Sequence, residues 1–371
     1  MRIALVCPYS CSVPGGVQTQ VLGLARAYSA KGERVALIAP GERTALAARL
    51  DEEALGGAVF MKVGKAVPFS VNGSRAPVSP WPSTMARTVS ALRSFAPEVV
   101  HVHEPLVPGP SLAAIMAKAR PTVATFHRAG ADRAYRAYGH VLGRSVRRLE
   151  ARFAVSEEAR ATAEACIGHL SGRVDIICNG VELFAARDVE PWPKSGPTIV
   201  FVGRHEDRKG LEVLLEAFVS IPAPARMWVI GDGPQTGRLR SQYASEARIE
   251  WLGPLDDTEK ARRLAGADVL AAPSLGGESF GLVLLEAMAA RTAVVASDLA
   301  GYRLAAGGAA RLVPPGDPAA LAHALRLVLY DEAERGALSE KGLLRAEECD
   351  MEKVADAYRD VFGRLLVSGR G

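Results

Sequence analysis

Residues 2–39 read RIALVCPYSCSVPGGVQTQVLGLARAYSAKGERVALIA, and the order of patterns in this stretch decides the fold class. An unbroken apolar run, RIALVC, leads into a glycine-bearing loop, SVPGGVQ (12–18). From Thr19 to Lys31 apolar residues recur with helical spacing, and a second apolar run, VALIA (35–39), follows. Strand, loop, helix, strand is the unit from which parallel sheets are built. Neither run alternates apolar with polar residues, as expected of strands covered on both faces.

Working outward, further strands read at EVVHVH (98–103), TVATF (122–126) and RFAVS (from Arg152). The stretch Gly56 to Pro82 is rich in Gly and Pro and long for a connection, which marks it as a functional or irregular loop. Residues 183–197, LFAARDVEPWPKSGP, carry three prolines and no periodicity, and a domain boundary is placed there. The rhythm restarts with TIVFVG (198–203), a helix from about Lys209, RMWVIG (226–231), DVLAAP (268–273) and AVVAS (293–297). The chain therefore reads as α/β, with two doubly wound domains over 1–182 and 196–350. A last helical pattern, 351–368, ends the chain.

Composition excludes several classes. The net charge is +4, and of 45 basic residues only nine are lysine, a bias toward Arg rather than a nucleic-acid footprint. No nucleic-acid partner is expected. Five cysteines without a C-x-x-C pair read as free thiols of a reducing compartment, not a disulfide or zinc framework. No apolar run reaches the length of a membrane span, and MRIALVCPYS lacks the basic start of a signal peptide. The expectation is a cytoplasmic protein, with peripheral attachment to the inner face of the cell membrane as a further expectation.

Chemistry enters at GESFGLVLLEAMA (277–289). Glu278 and Glu286 stand eight positions apart, roughly 12 Å along a helix axis. Between them lies a helix start, whose free N–H groups attract a diphosphate. A nucleotide sugar has the same order: sugar hydroxyls, diphosphate, ribose. Glu278 would hold the sugar, the amides of Phe280, Gly281, Leu282 and Val283 the diphosphate, and Glu286 the ribose. An ordinary helix-start acid and an exposed glutamate would also fit. Glu286, however, interrupts an otherwise apolar run, LVLLEAMA. The loop GRHEDRKG (203–210) directly follows a strand, where ligands of such sheets bind. Arg204 and Lys209 would face an interdomain crevice and stabilise charge on a departing diphosphate. Pairing with Glu206 and Asp207 inside the loop is the plainer alternative.

Taken together, the E-x7-E element, the G-R-x-x-x-x-K loop, PGGV (14–17) and ATFH (124–127) resemble family 4 of the retaining glycosyltransferases. The resemblance spans nearly the whole chain. It extends to VCPYS (6–10), GKAVP (64–68), NGS (72–74), HEP (103–105), NGV (179–181) and ASDL (296–299), stretches similar to those of members that mannosylate phosphatidylinositol. It implies the GT-B fold, two Rossmann-like domains facing an interdomain cleft, with the last helix, 351–368, crossing back to complete the first domain. It implies retaining transfer of a hexose, mannose from GDP-mannose, to phosphatidylinositol or a related inositol lipid. By resemblance, His127 contacts the donor sugar, Gly16 offers its amide to the donor phosphate, and Arg204 and Lys209 stabilise the leaving nucleotide. Leu255, Asp257 and Lys260 match the segment that holds guanine, and Tyr9, Gln18, Asn72 and Arg75 the acceptor side. The nucleotide sugar is substrate; no cofactor or metal is implied, and the chain has no D-x-D.

Departures from the family fall mainly on the acceptor side. Ser12 replaces an expected Asp, Arg75 follows NGS at once, and the segment 83–95 carries only Arg87 and Arg93 where relatives have a basic, membrane-gripping helix. Arg291 replaces a glycine after EAMAA. A second basic stripe reads between Arg133 and Arg148: Arg133, Arg136, His140, Arg144 and Arg147 share a helix face, with Tyr138, Val141, Leu142, Val146 and Leu149 opposite. An anionic membrane surface is therefore one expected partner. Three alternatives stay open: a transferase using GDP-mannose or UDP-glucose on a soluble polyol or glycan, a non-catalytic sugar-nucleotide binder, and an NADP enzyme using GDGPQTG (231–237).

Overall fold

The computed structural model describes residues 1–12, 15–41, 55–71, 74–117, 121–130, 133–147, 149–168, 174–183 and 189–368. The side chains of 68–71, 74–76, 133, 134 and 138 also fall outside the description. The chain forms two compact units, Met1–Gly180 with Met351–Gly371, and Val181–Asp350.

In the first unit the strands are β1 Arg2–Val6, β2 Arg34–Ala39, β3 Val59–Lys62, β4 Val67–Val71, β5 Ser74–Val78, β6 Val99–His103, β7 Thr122–Phe126, β8 Ala151–Ala154 and β9 Asp175–Ile176. Seven of them form a sheet in the order β3-β2-β1-β6-β7-β8-β9, parallel throughout, while β4 and β5 pair as an antiparallel hairpin. The missing alternation in the sequence now has its reason. Ile3, Leu5, Val35, Leu37, Val99 and Val123 enter one core, and Ala4, Val6, Ala36, Ile38, Val100 and Ala124 enter another. Neighbouring strand residues point to opposite faces, so both sets must be apolar when both faces are covered.

The helix Met351–Ser368 belongs to the first unit. Met351, Val354, Ala355, Tyr358 and Phe362 pack into the same core as Val21, Leu24 and Tyr28 of the helix Gly16–Ala30. Ion pairs Lys31–Asp356 (2.9 Å) and Arg359–Glu33 (2.6 Å) fasten its outer side.

The second unit holds β10 Thr198–Val202, β11 Arg226–Ile230, β12 Ile249–Gly253, β13 Val269–Ala272, β14 Ala293–Ser297 and β15 Arg311–Val313. Their order is β12-β11-β10-β13-β14-β15, again parallel. Counted within each sheet, both orders begin 3-2-1-4-5-6, the doubly wound arrangement in which ligands bind beyond the strand ends where the order reverses. Those reversal points lie between β1 and β6 in the first unit and between β10 and β13 in the second. The described part of the proline-rich stretch, 189–197, lies in the second unit, where Arg263 is stacked between Trp192 (4.0 Å) and Trp228 (4.7 Å).

Candidate active site

At the reversal point of the second sheet, β10 runs into the Arg204-to-Lys209 loop and β13 into Ser274 and Glu278. The two loops meet closely. Gly210 takes φ 67°, and a Cβ there would lie 2.0 Å from the carbonyl oxygen of Pro273, so only glycine fits. Leu275 N–H donates to the Arg208 carbonyl at 2.7 Å. This backbone contact delivers the side chains. Glu278 Oε1 accepts from Lys209 Nζ at 2.7 Å, Arg208 Nη1 at 3.1 Å and Ser274 Oγ at 3.1 Å. Ser274 Oγ also lies 2.8 Å from Tyr302 OH. Burial pushes the Glu278 carboxyl up, but Lys209, then Arg208 and Ser274, outweigh burial and hold it below the usual carboxylate range.

The alternative of a self-paired loop holds for part of the segment. Glu206 lies between Arg204 (3.2 Å) and Arg208 (3.3 Å), and Asp207 accepts from Gln235. Lys209 instead reaches Glu278, 69 residues away. Arg208 and Lys209 thus converge on Glu278, and Arg204 and Arg208 on Glu206, which holds all three cations close together at a half-buried site.

Eight residues beyond Glu278, Glu286 sits in the helix Leu282–Ala289 and pairs with Lys260 Nζ at 3.0 Å. Lys260 also lies 3.6 Å from Asp257, whose side chain is mostly exposed at the start of the helix Asp257–Gly266. The expected nucleotide-end residues Asp257, Lys260 and Glu286 are thus one cluster, with Leu255 half-buried two positions before Asp257. Gly281 is the N-cap of the helix that carries Glu286. Its φ is 104°, and a Cβ would meet the Tyr302 ring at 2.6 Å, so conformation and packing both require glycine. Phe280 is buried beside it, and the first amides of this helix, at Leu282 and Val283, have no intrahelical acceptor.

In the first unit, β1 and β6 end at the other reversal point. Tyr9 bridges to Val78 of β5, and Gln18 Nε2 donates to the Ser10 carbonyl at 3.4 Å. Gly16 is the first residue of its helix, so its amide has no intrahelical acceptor. Asn72 lies outside the described residues; Arg75 has a described backbone in β5 only. His127, just past β7, is buried, and its Nε2 lies 2.9 Å from His103 Nδ1. Burial lowers its pKa to about 3, against a hydrogen bond with Asn179, so the ring is neutral. Behind this pair, His101 Nε2 bonds Thr125 Oγ1 at 2.7 Å, and Thr125 lies 3.2 Å from Tyr358 of the last helix.

Further residues that touch the expected ones include Arg208, Ser274, His103 and Asn179. Arg208 lies inside GRHEDRKG, His103 inside HEP and Asn179 inside NGV, so the motifs contained them without singling them out. No signal pointed to Ser274. Two of the three glycines of GDGPQTG, Gly231 and Gly233, have a packing role instead. A Cβ on Gly231 would lie 2.0 Å from the Gly203 carbonyl, and one on Gly233 would strike the His205 backbone at 2.7 Å. That loop follows β11, away from the reversal point, which removes the reason to read it as a dinucleotide loop. Among the described residues no cluster of His, Cys, Asp or Glu could hold a metal ion, and no helix is long and apolar enough to cross a membrane.

A family model described as Glycosyltransferase Family 4 matches residues 14–183, and one described as Glycosyl transferases group 1 matches 196–331. The chain is 37% identical to the phosphatidyl-myo-inositol mannosyltransferase of Mycolicibacterium smegmatis, covering 100% of this chain and 95% of that one. Among solved structures, sucrose-phosphate synthase from Thermosynechococcus elongatus is similar with a TM-score of 0.77 at 21% identity, covering 99% of each chain. Anabaena HepE in complex with UDP-glucose gives a TM-score of 0.77 at 17% identity, covering 98% of this chain and 100% of that one. The two parallel-sheet units thus have the GT-B fold.

Proposed function

The chain belongs to the family 4 glycosyltransferases, and we propose that it transfers mannose from GDP-mannose, with retention at the anomeric carbon, to phosphatidylinositol or a related inositol lipid. The observation that carries the enzymatic part is the Glu278 carboxylate held by Lys209, Arg208 and Ser274 at the reversal point of the second sheet. The acceptor rests on the full-length similarity to the phosphatidyl-myo-inositol mannosyltransferase.

In this reading the second unit binds the donor. Glu278 takes the mannose hydroxyls, the amides at the start of Leu282–Ala289 take the diphosphate, and Glu286 takes the ribose. Arg204 and Lys209 stabilise the charge that grows on the departing diphosphate, whose oxygen accepts the acceptor's proton. No covalent enzyme intermediate is involved. The burial of Glu104, at the edge of β6, with Oε1 on His127 N–H and Oε2 on Tyr135 OH, supports this reading. His127 meets the donor sugar as a neutral ring.

The test is incubation with a panel of nucleotide sugars and lipid extracts, read by mass spectrometry, with the anomeric configuration of the product set by NMR. Mannosylated phosphatidylinositol from GDP-mannose, α-linked, is expected. Tighter binding of UDP than of GDP in calorimetry would overturn the donor. A soluble polyol or glycan acceptor is the second reading. It is favoured by one observation: the helix Pro82–Phe95 bears only Arg87 and Arg93 as basic residues. Product formed only on a soluble acceptor would decide for it.

A further inference from the structure

At the end of β6 the chain leaves the sheet through Glu104, whose φ is 47°. That is the left-handed region, where glycine or asparagine is the ordinary choice and a longer L side chain is disfavoured. The side chain is 1% exposed, so its carboxylate has given up water. A strained backbone that buries a carboxylate calls for a task that the carboxylate performs.

Its contacts name the task. Glu104 N–H donates to the Thr125 carbonyl at 2.9 Å, while its Oε1 accepts the His127 N–H at 2.6 Å. One residue thus grips β7 at its last turn and at the first residue beyond it. Oε2 accepts from Tyr135 OH at 3.1 Å, which ties in the helix Arg133–Val146. The Tyr135 ring in turn lies under the Arg128 guanidinium at 4.6 Å, immediately after His127. The backbone N–H groups of His127 and Arg128 are therefore held by Glu104, and the Arg128 side chain by Tyr135. The His127 imidazole is held 2.9 Å from His103, the residue just before Glu104.

We propose that Glu104 is a positioning residue for His127, acting through the backbone turn that carries the imidazole. This rests on the reading above in which His127 serves the transfer.

A double-mutant cycle on the full chain tests it, with Glu104→Gln, His127→Ala and both together assayed for kcat and donor KM. Glutamine keeps the volume but loses the charge, and its N–H₂ must meet either the His127 N–H or a Tyr135 hydroxyl that has to turn round to accept it. A misplacement on the order of 1 Å costs about a hundredfold in rate. Glu104→Gln is expected to lower kcat tenfold to a hundredfold, in that order of magnitude, with a much smaller change in donor KM, because most of the residues read as donor-binding lie in the second unit. In the His127→Ala background the same change should cost almost nothing, because the group it positions is gone. A full loss in both backgrounds, or normal kcat for Glu104→Gln, overturns the proposal while leaving the role of His127 standing. Normal turnover for His127→Ala overturns the role of His127 itself and the proposal with it. If circular dichroism shows Glu104→Gln unfolded, Tyr135→Phe takes its place in the cycle. It removes one donor to Glu104 and keeps the ring. A kcat loss that vanishes without His127 supports positioning, and an additive loss or no loss refutes it.

Discussion

Glu278 shows how one residue can depend on its partners for its charge. All three described donors fall on Oε1, and the first of them, Lys209, is also the cation proposed to meet the leaving diphosphate. Lys209→Ala should therefore have two effects. Removal of one such electrostatic contact costs about 3–4 kcal/mol, so turnover should fall on the order of a hundredfold or more with the fold intact. Loss of the cation should also raise the Glu278 pKa toward the ordinary carboxylate range, because a nearby positive charge favours the ionised form. The acid limb of the pH–rate profile should then move to higher pH, and a variant with near-normal turnover and an unmoved limb would remove Lys209 from the mechanism. Arg291 is the opposite kind of residue. Its N–H donates to the Met288 carbonyl and that of Thr292 to the Ala287 carbonyl, which closes the helix Leu282–Ala289 in a Schellman motif. The motif wants glycine at this position, yet Arg291 holds φ 59°. A left-handed L residue costs roughly 1–2 kcal/mol, and glycine returns roughly 0.5–1 of that as unfolded-state entropy. Arg291→Gly should thus raise the stability of the second unit by up to about 1 kcal/mol in urea unfolding. A destabilised variant would mean that the arginine side chain makes a contact worth more than the strain.

The helix Arg133–Val146 is the element whose reading the structure changes most. Tyr135, Gly139, Gly143 and Val146 are buried, and a Cβ on Gly139 would lie 2.5 Å from the Cys166 carbonyl, so the glycines set how closely this helix approaches Glu157–Ile167. Arg136, His140 and Arg144 are exposed, as a basic stripe requires. Val141 does not lie opposite them: it is 77% exposed and shares their face. Arg147 donates to the Ile167 carbonyl at 3.0 Å and so takes a structural role, while the side chains of Arg133, Tyr138 and Arg148 lie outside the described residues. An exposed apolar residue among cations suits a charged bilayer surface. If this face docks there, the chain should float with anionic vesicles, and Arg136→Ser with Arg144→Ser should weaken binding on the order of tenfold or more, at about 1 kcal/mol per basic residue. Equal flotation of both proteins, or none by the wild type, would reject this face as the anchor. Legibility in the sequence followed burial in the same way. Central strands such as β6 and β7 were plain because both faces are covered. The hairpin β4–β5, two-residue β9 and short β15 gave no pattern, being peripheral or brief. At the candidate site, E-x7-E and GRHEDRKG could be read from the sequence, and both follow strands that flank the reversal point of the second sheet. Ser274 and the Glu104 clamp did not show, because they depend on how β13 and β10, or β6 and β7, lie side by side.

At the scale of the whole molecule, each unit has its own core and can respond to solution conditions separately. Their histidines differ. Burial lowers the pKa of His101 and His127 to about 3 and puts His103 well below its ordinary value, all three in the first unit. In the second unit burial lowers His205, with Asp232 opposing. Each of these rings is neutral when folded and free to take a proton, near pH 6.5, when unfolded. Between that value and the folded pKa the unfolded chain binds more protons, so stability is complete above about pH 6.5 and is lost as pH falls. The slope is up to about 1.4 kcal/mol per pH unit for each histidine, with three contributing in the first unit against one in the second. The lowered Glu278 does not offset this difference, since its contribution to the second unit persists down through the ordinary carboxylate range and is lost only below it; burial raises Glu104 in the first unit, which opposes the histidines there, but as one group against three. The first unit should therefore become the weaker one in mild acid. Urea unfolding at about pH 7 and at about pH 5.5, with limited proteolysis at each urea step to locate the first cuts, measures this directly. At the lower pH the first unit should open at clearly lower urea, with cuts mapping to residues 1–180, while the midpoint of the second shifts less. His101→Gln, which removes one titrating ring, should flatten the pH dependence of the first unit alone. If both units lose stability in parallel, or if the first outlasts the second, the buried histidine cluster does not control acid stability.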